Sequence, residues 1–109
     1  MVSVSITIRR GQSEDASSLF ALARQFQTGR EQISRDEFLI SLDNVLRRRD
    51  QEANVLFVAE RDGEVAGYSL MTVSRLLHAP GLTAHLQEIV VDEGSRGHGV
   101  GDRLMQANE

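Results

Sequence analysis

Cysteine does not occur anywhere in the 109-residue chain, which excludes disulfides and thiolate chemistry. The three histidines, His78, His85 and His98, lack the short spacing of zinc ligands, so no structural metal is expected. Proline occurs once, at Pro80 before Gly81, and marks a loop. No apolar run approaches the length of a membrane span. The N-terminal MVSVSITIRR alternates apolar and polar residues where a secretory signal would be continuously apolar, so a cytoplasmic location is expected. Positive charge is not in excess either. A formal net charge of -4 argues against non-specific binding to nucleic acid or anionic membrane and leaves small molecules or proteins as partners.

The length suits one domain, and residues 1–109 are read as a single one. Val2, Val4, Ile6 and Ile8 alternate with Ser3, Ser5 and Thr7, the period of a half-buried strand. From Ser13 the period becomes helical: Ala16, Leu19, Phe20, Ala23 and Phe26 share a face, Ser13 is the expected cap, and Gly29 lies past the end. A second helix is signalled by the capping-box pair Ser34 and Glu37, with Ile33 placed to staple onto Phe38. Its stripe of Leu42, Val45 and Leu46 ends in Arg47, Arg48 and Arg49, which read as a solvated cationic C-terminus. Asn54 to Glu60 and Val65 to Ser74 flank Arg61-Asp62-Gly63-Glu64, a hairpin signal. Arg75 to Thr83 reads as a loop and Ala84 to Asp92 as the next strand. Its Ile89, Val90 and Val91 leave no polar position, as at the centre of a sheet covered on both faces. The expected order is β-α-α-β-β-β-α.

Four of the nine glycines fall between Gly94 and Gly101, after that apolar strand and before a helical pattern. A P-loop requires Gly-Lys-Ser/Thr, and no lysine occurs after these glycines. A dinucleotide fingerprint counted from Gly97 and Gly99 meets Asp102 at its third glycine position, and lacks the later acidic residue. Two readings remain. The glycines serve a turn and let a helix approach the sheet, or they bare backbone N–H groups at a helix N-terminus, where a pyrophosphate fits.

Arg96, Gly99 and Gly101 match the signature Arg/Gln-x-x-Gly-x-Gly/Ala, and the sequence here resembles the GNAT superfamily of acetyl-CoA-dependent N-acetyltransferases. Two helices after strand one, an Asp-Gly hairpin leading into "EVAGYSL", and a strand ending "EIVVD" five residues before the arginine are also similar to that family's N-terminal portion. The stretch "HLQEIVVDEGSRGHGVG" resembles the glucosamine-phosphate N-acetyltransferase branch, with Gln87 in place of one acid.

The resemblance implies an α/β (α+β) fold with a mixed, mostly antiparallel sheet flanked by helices. It also implies acetyl transfer from acetyl-CoA to an amine of a small molecule or protein. Ile89, Val90 and Val91 then hold the pantetheine arm and thioester carbonyl through backbone groups, and Arg96, Gly97, His98, Gly99, Val100 and Gly101 take the pyrophosphate. Glu88, in a strand covered on both faces, is the candidate base; its alternative is a glutamate satisfied by a neighbouring strand. His85 reads as a substrate contact or a surface residue, and Tyr68 as a packing residue. The family's general acid would lie in a region beyond the last residue here, so none is assigned. Typical members continue for another strand, helix and hairpin, so the chain reads as C-terminally truncated. Its last strand would be an open edge, completed by a second copy in a homodimer or by another partner. The alternative function is a catalytically inactive acetyl-CoA-binding or assembly module on the same half-fold.

Overall fold

The computed structural model describes residues 5–26, 33–47, 53–75 and 82–107. Its order is β1 (Ile6–Arg10), α1 (Ala16–Phe26), α2 (Arg35–Arg47), β2 (Ala53–Arg61), β3 (Glu64–Arg75), β4 (Leu82–Val91) and α3 (Val100–Ala107), with short 3-10 turns at Ser13–Asp15 and Glu93–Ser95. This is the expected sequence of elements. Val2, Val4, Gly29, Arg48, Arg49, Pro80 and Gly81 lie outside the described residues.

The four strands form one antiparallel sheet in the order β1-β2-β3-β4. Alternation along the strands, interrupted in β3 by a bulge at Ala66, sends side chains to two separately covered faces. Leu56 and Val58 of β2, Tyr68 of β3 and Val90 of β4 meet Leu19 and Leu22 of α1 and Leu42 of α2 on one face. On the other, Ala59 and Ala66 take Val100 and Leu104 of α3, with Phe57, Ile89 and Val91 packed around them. Gly67 makes the second contact close. A Cβ there would stand 2.8 Å from the Val90 carbonyl oxygen and within 3.3 Å of Val100 and Leu104, so any other residue would lift α3 off the sheet.

The Asp62-Gly63 turn has φ of 55° and 87°, the left-handed pair a two-residue hairpin requires. The α2 capping box is present in both directions: Ser34 N–H donates to Glu37 Oε1 and Glu37 N–H to Ser34 Oγ, each at 3.1 Å. Hydrogen bonding from the Ser34 hydroxyl and from the Ser34 N–H lowers the Glu37 carboxyl from its ordinary pKa.

Two expectations change. Ser13 does not cap α1; it opens a 3-10 turn that runs into the helix, and its hydroxyl reaches only Glu14 at 3.5 Å. The capping position falls at Gln12, whose N–H donates to the Asp15 carboxylate at 2.8 Å. Asp15 is drawn there because the Arg9 guanidinium from β1 donates to both its oxygens, at 2.8 and 2.7 Å, while also pairing with Glu60 of β2. Second, the loop expected over Arg75 to Thr83 is shorter, because β3 runs through Arg75 and β4 starts at Leu82. Ile89, Val90 and Val91 are covered on both faces, by the α1–α2 layer and by α3, and β4 is an edge among the described strands, as the sequence implies for the last strand.

The Arg9 hydrogen bond lowers the Asp15 pKa from its ordinary 3.8. Asp15 therefore stabilises the fold fully above that ordinary value, and the contribution is lost as pH falls through its lowered folded value. Asp15→Asn is expected to cost about 2 kcal/mol at neutral pH, because it breaks a largely buried pairing. Urea melts from pH 7 to 2 should show the acid decline flattened in the variant.

Candidate functional site

β4 is where sequence becomes site. The Asp92 N–H donates to the Ala66 carbonyl at 2.7 Å, which fixes the pairing phase of the strand against β3. In an antiparallel ladder the phase alternates, so Val90 and Glu88 turn their N–H and C=O groups toward β3. Ile89 and Val91 turn theirs outward along the open edge. The expected trio of backbone contacts is thereby divided: Ile89 and Val91 are presented, whereas Val90 is committed to the sheet and to the core by its 3% exposure.

The chain leaves β4 through a tightly held turn. Asp92 accepts from Gly94 N–H at 3.0 Å through one carboxylate oxygen and from Gln25 Nε2 of α1 at 2.8 Å through the other. Gln25 Oε1 in turn accepts from Glu93 N–H at 3.1 Å. Arg61, at the end of β2, donates from one Nη to Gly94 O at 3.2 Å and Ser95 Oγ at 3.3 Å. Two elements distant in sequence, α1 and β2, therefore clamp residues 92–95.

Past this clamp the backbone is held but the space around it is open. Gly97 and Gly99 both have φ of 84°, a conformation that L side chains adopt at a cost of roughly 1 kcal/mol or more, and no atom stands within 4 Å of where a Cβ would be. His98 between them is exposed, and its N–H donates to Ser95 O at 3.3 Å. α3 begins at Val100, and its first N–H to be satisfied is that of Arg103, on Gly99 O at 3.1 Å. Among the described residues, the N–H groups of Gly97, Gly99, Val100 and Gly101 have no protein acceptor. Val100 anchors the helix with a fully buried side chain while its amide faces the turn. Arg96 is exposed and its Nε donates to the outward carbonyl of Val91 at 3.3 Å. These groups surround a shallow concavity of about 330 Å³, which Asp102 also lines. A glycine turn with free amides at the positive end of a helix, beside an arginine, is built to take a phosphate-type anion.

Glu88 sits on the same strand but on the face shared with Tyr68, Leu70 and Val90. It is half-buried, and the Tyr68 hydroxyl donates to its Oε1 at 3.2 Å. Burial, reinforced by the Glu88 charge, pushes the Tyr68 phenol above its ordinary pKa, so it remains a donor across the neutral range. The β3–β4 register brings the two together as diagonal neighbours, because Tyr68 pairs with Val90 and Leu70 with Glu88. A β-bulge follows: Met71 pairs with Leu86, leaving Gln87 as the extra residue, its Nε2 donating to Thr72 Oγ1 at 3.0 Å. His85 is exposed on β4 opposite Thr72. No group of three or more His, Asp or Glu among the described residues is arranged to hold a metal ion.

Tyr68, Gln25 and Arg61 were not foreseen as parts of the site. Tyr68 was legible only as a packing residue, and nothing local marks the other two, because their partners lie 67 or 68 and 33 or 34 positions away.

Sheet, glycine turn and free helix amides define a fold that presents backbone donors at the end of β4. Residues 17–109 match the model of the Acetyltransferase (GNAT) family, and the chain belongs to that family. A search of curated proteins found no match to the sequence. Among solved structures, the chain is similar to glucosamine-6-phosphate N-acetyltransferase from Arabidopsis thaliana, with 20% identity and a TM-score of 0.74 over 94% of this chain and 71% of that one. It is also similar to a GNAT family acetyltransferase from Staphylococcus aureus, with 17% identity and a TM-score of 0.75 over 94% and 74%. An aminoglycoside acetyltransferase from an uncultured soil metagenomic sample gives 21% and 0.70 over 94% and 66%. At these identities the likeness is one of fold.

Asp92→Ala removes the acceptor shared by Gln25 and Gly94. The expected cost is about 2 kcal/mol of unfolding free energy in urea, with faster amide hydrogen exchange at residues 93–99.

Proposed function

We propose that the chain is an N-acetyltransferase domain that uses acetyl-CoA as donor and a primary amine of a small molecule or peptide as acceptor. The observation that carries this is the set of unpartnered amides at Gly97, Gly99, Val100 and Gly101, beside Arg96 and at the end of an edge strand that presents Ile89 and Val91. Family membership supports the same chemistry.

The residues fit the donor in separate ways. Gly97 and Gly99 carry no side chains to obstruct a pyrophosphate, and the amides of Gly97, Gly99, Val100 and Gly101 with Arg96 supply hydrogen bonds and positive charge. His98 and Arg96 are exposed at the rim. The outward N–H groups of Ile89 and Val91 and the Ile89 carbonyl suit the amide-bearing pantetheine arm, in the way an added strand pairs with a sheet edge. Bound acetyl-CoA supplies an acetyl thioester, so that a C–N bond forms as the C–S bond breaks and the thiolate leaves. An outward edge amide of β4 is the donor for the charge that develops on the carbonyl oxygen. Glu88 receives the proton that the amine must lose, directly or through one water. Tyr68 is a positioning residue here: its hydroxyl holds one Glu88 oxygen and leaves the other for the acceptor.

Saturating acetyl-CoA, at 100 times its Kd, should stabilise the protein by about 2.7 kcal/mol and raise its melting temperature by several degrees. Gly99→Glu places a side chain and a negative charge in the turn and should abolish that shift. Glu88→Gln should retain it while lowering release of free CoA with an accepted amine by ~100-fold. No shift with the unaltered chain contradicts the proposal. A shift without CoA release across a broad amine panel would instead identify the inactive acetyl-CoA-binding module.

A further inference from the structure

The cavity in front of Glu88 has a chemistry of its own. It lies between the helical layer and the sheet and measures about 220 Å³, below the roughly 300–1,000 Å³ of clefts that hold drug-sized ligands. Leu19 and Ala23 of α1, Phe38 and Leu42 of α2, and Leu56 and Leu70 of the sheet form its walls. Its only polar side chains among the described residues are Ser41, Tyr68 and Glu88, and the Tyr68 hydroxyl is already given to Glu88. No arginine lines it among the described residues.

We infer that the acceptor taken by this site is a primary amine on a compact apolar body, with the ammonium at Glu88 and the body between α1, α2 and the sheet. This rests on the acetyltransferase reading above and adds the acceptor class to it. A phosphorylated or carboxylated acceptor would bring its charge into walls whose described residues offer no cation, beside a carboxylate that repels it. A polyhydroxylated acceptor would bury several hydroxyls against leucine and phenylalanine, at a desolvation cost for each one left unpaired. An ammonium reverses both penalties: Glu88 is a half-buried anion with one oxygen unengaged by any hydrogen bond, and the apolar body replaces water along the walls. The cavity size restricts that body to about one aromatic ring or a short branched chain. The acceptor chemistry of this chain therefore differs from what the names of two fold relatives state, glucosamine 6-phosphate and aminoglycosides.

The probes are 2-phenylethylamine and glucosamine 6-phosphate. Methyl-group NMR is first recorded with the full chain and no donor, where 2-phenylethylamine should perturb Leu42, Leu56 and Leu70, and the sugar phosphate should not. Release of CoA from acetyl-CoA should then favour 2-phenylethylamine by about tenfold or more in kcat/KM. Ala23→Leu, which fills the cavity, should remove that preference while leaving the thermal shift by acetyl-CoA intact. Leu70→Ala is read alongside it, in case the filled cavity does not fold, and should move the preference toward the larger tryptamine. Preference for the sugar phosphate, or an unchanged 2-phenylethylamine response in both variants, overturns the inference. Failure of the acetyltransferase reading shows separately, as absence of the acetyl-CoA shift. The methyl titration then decides alone: perturbation of the three leucines upholds an apolar amine site, and silence overturns it.

Discussion

The hydrogen bond from Asp92 N–H to Ala66 O sets the phase in which β4 meets β3, and most of the site depends on that phase. A peptide group in an edge strand faces either its neighbour or the open side. With Asp92 committed inward, Val90 and Glu88 are committed with it, while Ile89 and Val91 present their backbone groups outward. Side chains alternate independently across the faces, so Glu88 looks toward α1 and α2 and Ile89 and Val91 toward α3. In the proposed function one strand thus serves a donor ligand along its edge and a carboxylate cavity on its face. A slip of one residue would exchange these tasks and bury the wrong amides.

The turn after β4 solves a different problem. Its amides are useful only if they stay unpaired, yet unpaired amides contribute nothing to holding the turn in place. The fold separates the two requirements in sequence. Residues 92–95 are fixed by Gln25, Arg61 and the Asp92 carboxylate, Val100 and Leu104 fix the helix from beneath, and the residues between carry glycine at positive φ with open space around them. Gly67 belongs to the same device, since the missing Cβ lets α3 settle on the sheet close enough for its first turn to meet the end of β4. The rigidity is built in before any ligand arrives, which lowers the ordering cost of binding.

Local chemistry in the sequence was sufficient where the structural cause is local. The Ser34 and Glu37 capping box, the Asp62-Gly63 turn and the glycines before α3 each act within four residues, and all appear as the sequence implies. The order of elements was legible in the periodicity. What was illegible depends on partners far along the chain. Ser13 lost the cap to Gln12 because Arg9, in another element, fixes Asp15. The division of Ile89, Val90 and Val91 depends on pairing phase, and the approach of Tyr68 to Glu88 depends on the register of β3 against β4, which no residue there announces. The clamp by Gln25 and Arg61 is of the same kind.

The fit of the donor turns on which amides are free, and amide chemical shifts read that directly. Titration of 15N-labelled protein with CoA should move Gly97, Gly99, Val100 and Gly101 most, and Ile89 and Val91 next. Val90 and Gly67, adjacent in space but bonded into the sheet, should move least. Equal movement of Val90 with its neighbours, or silence of the four turn amides at saturating CoA, would contradict this assignment of the free amides.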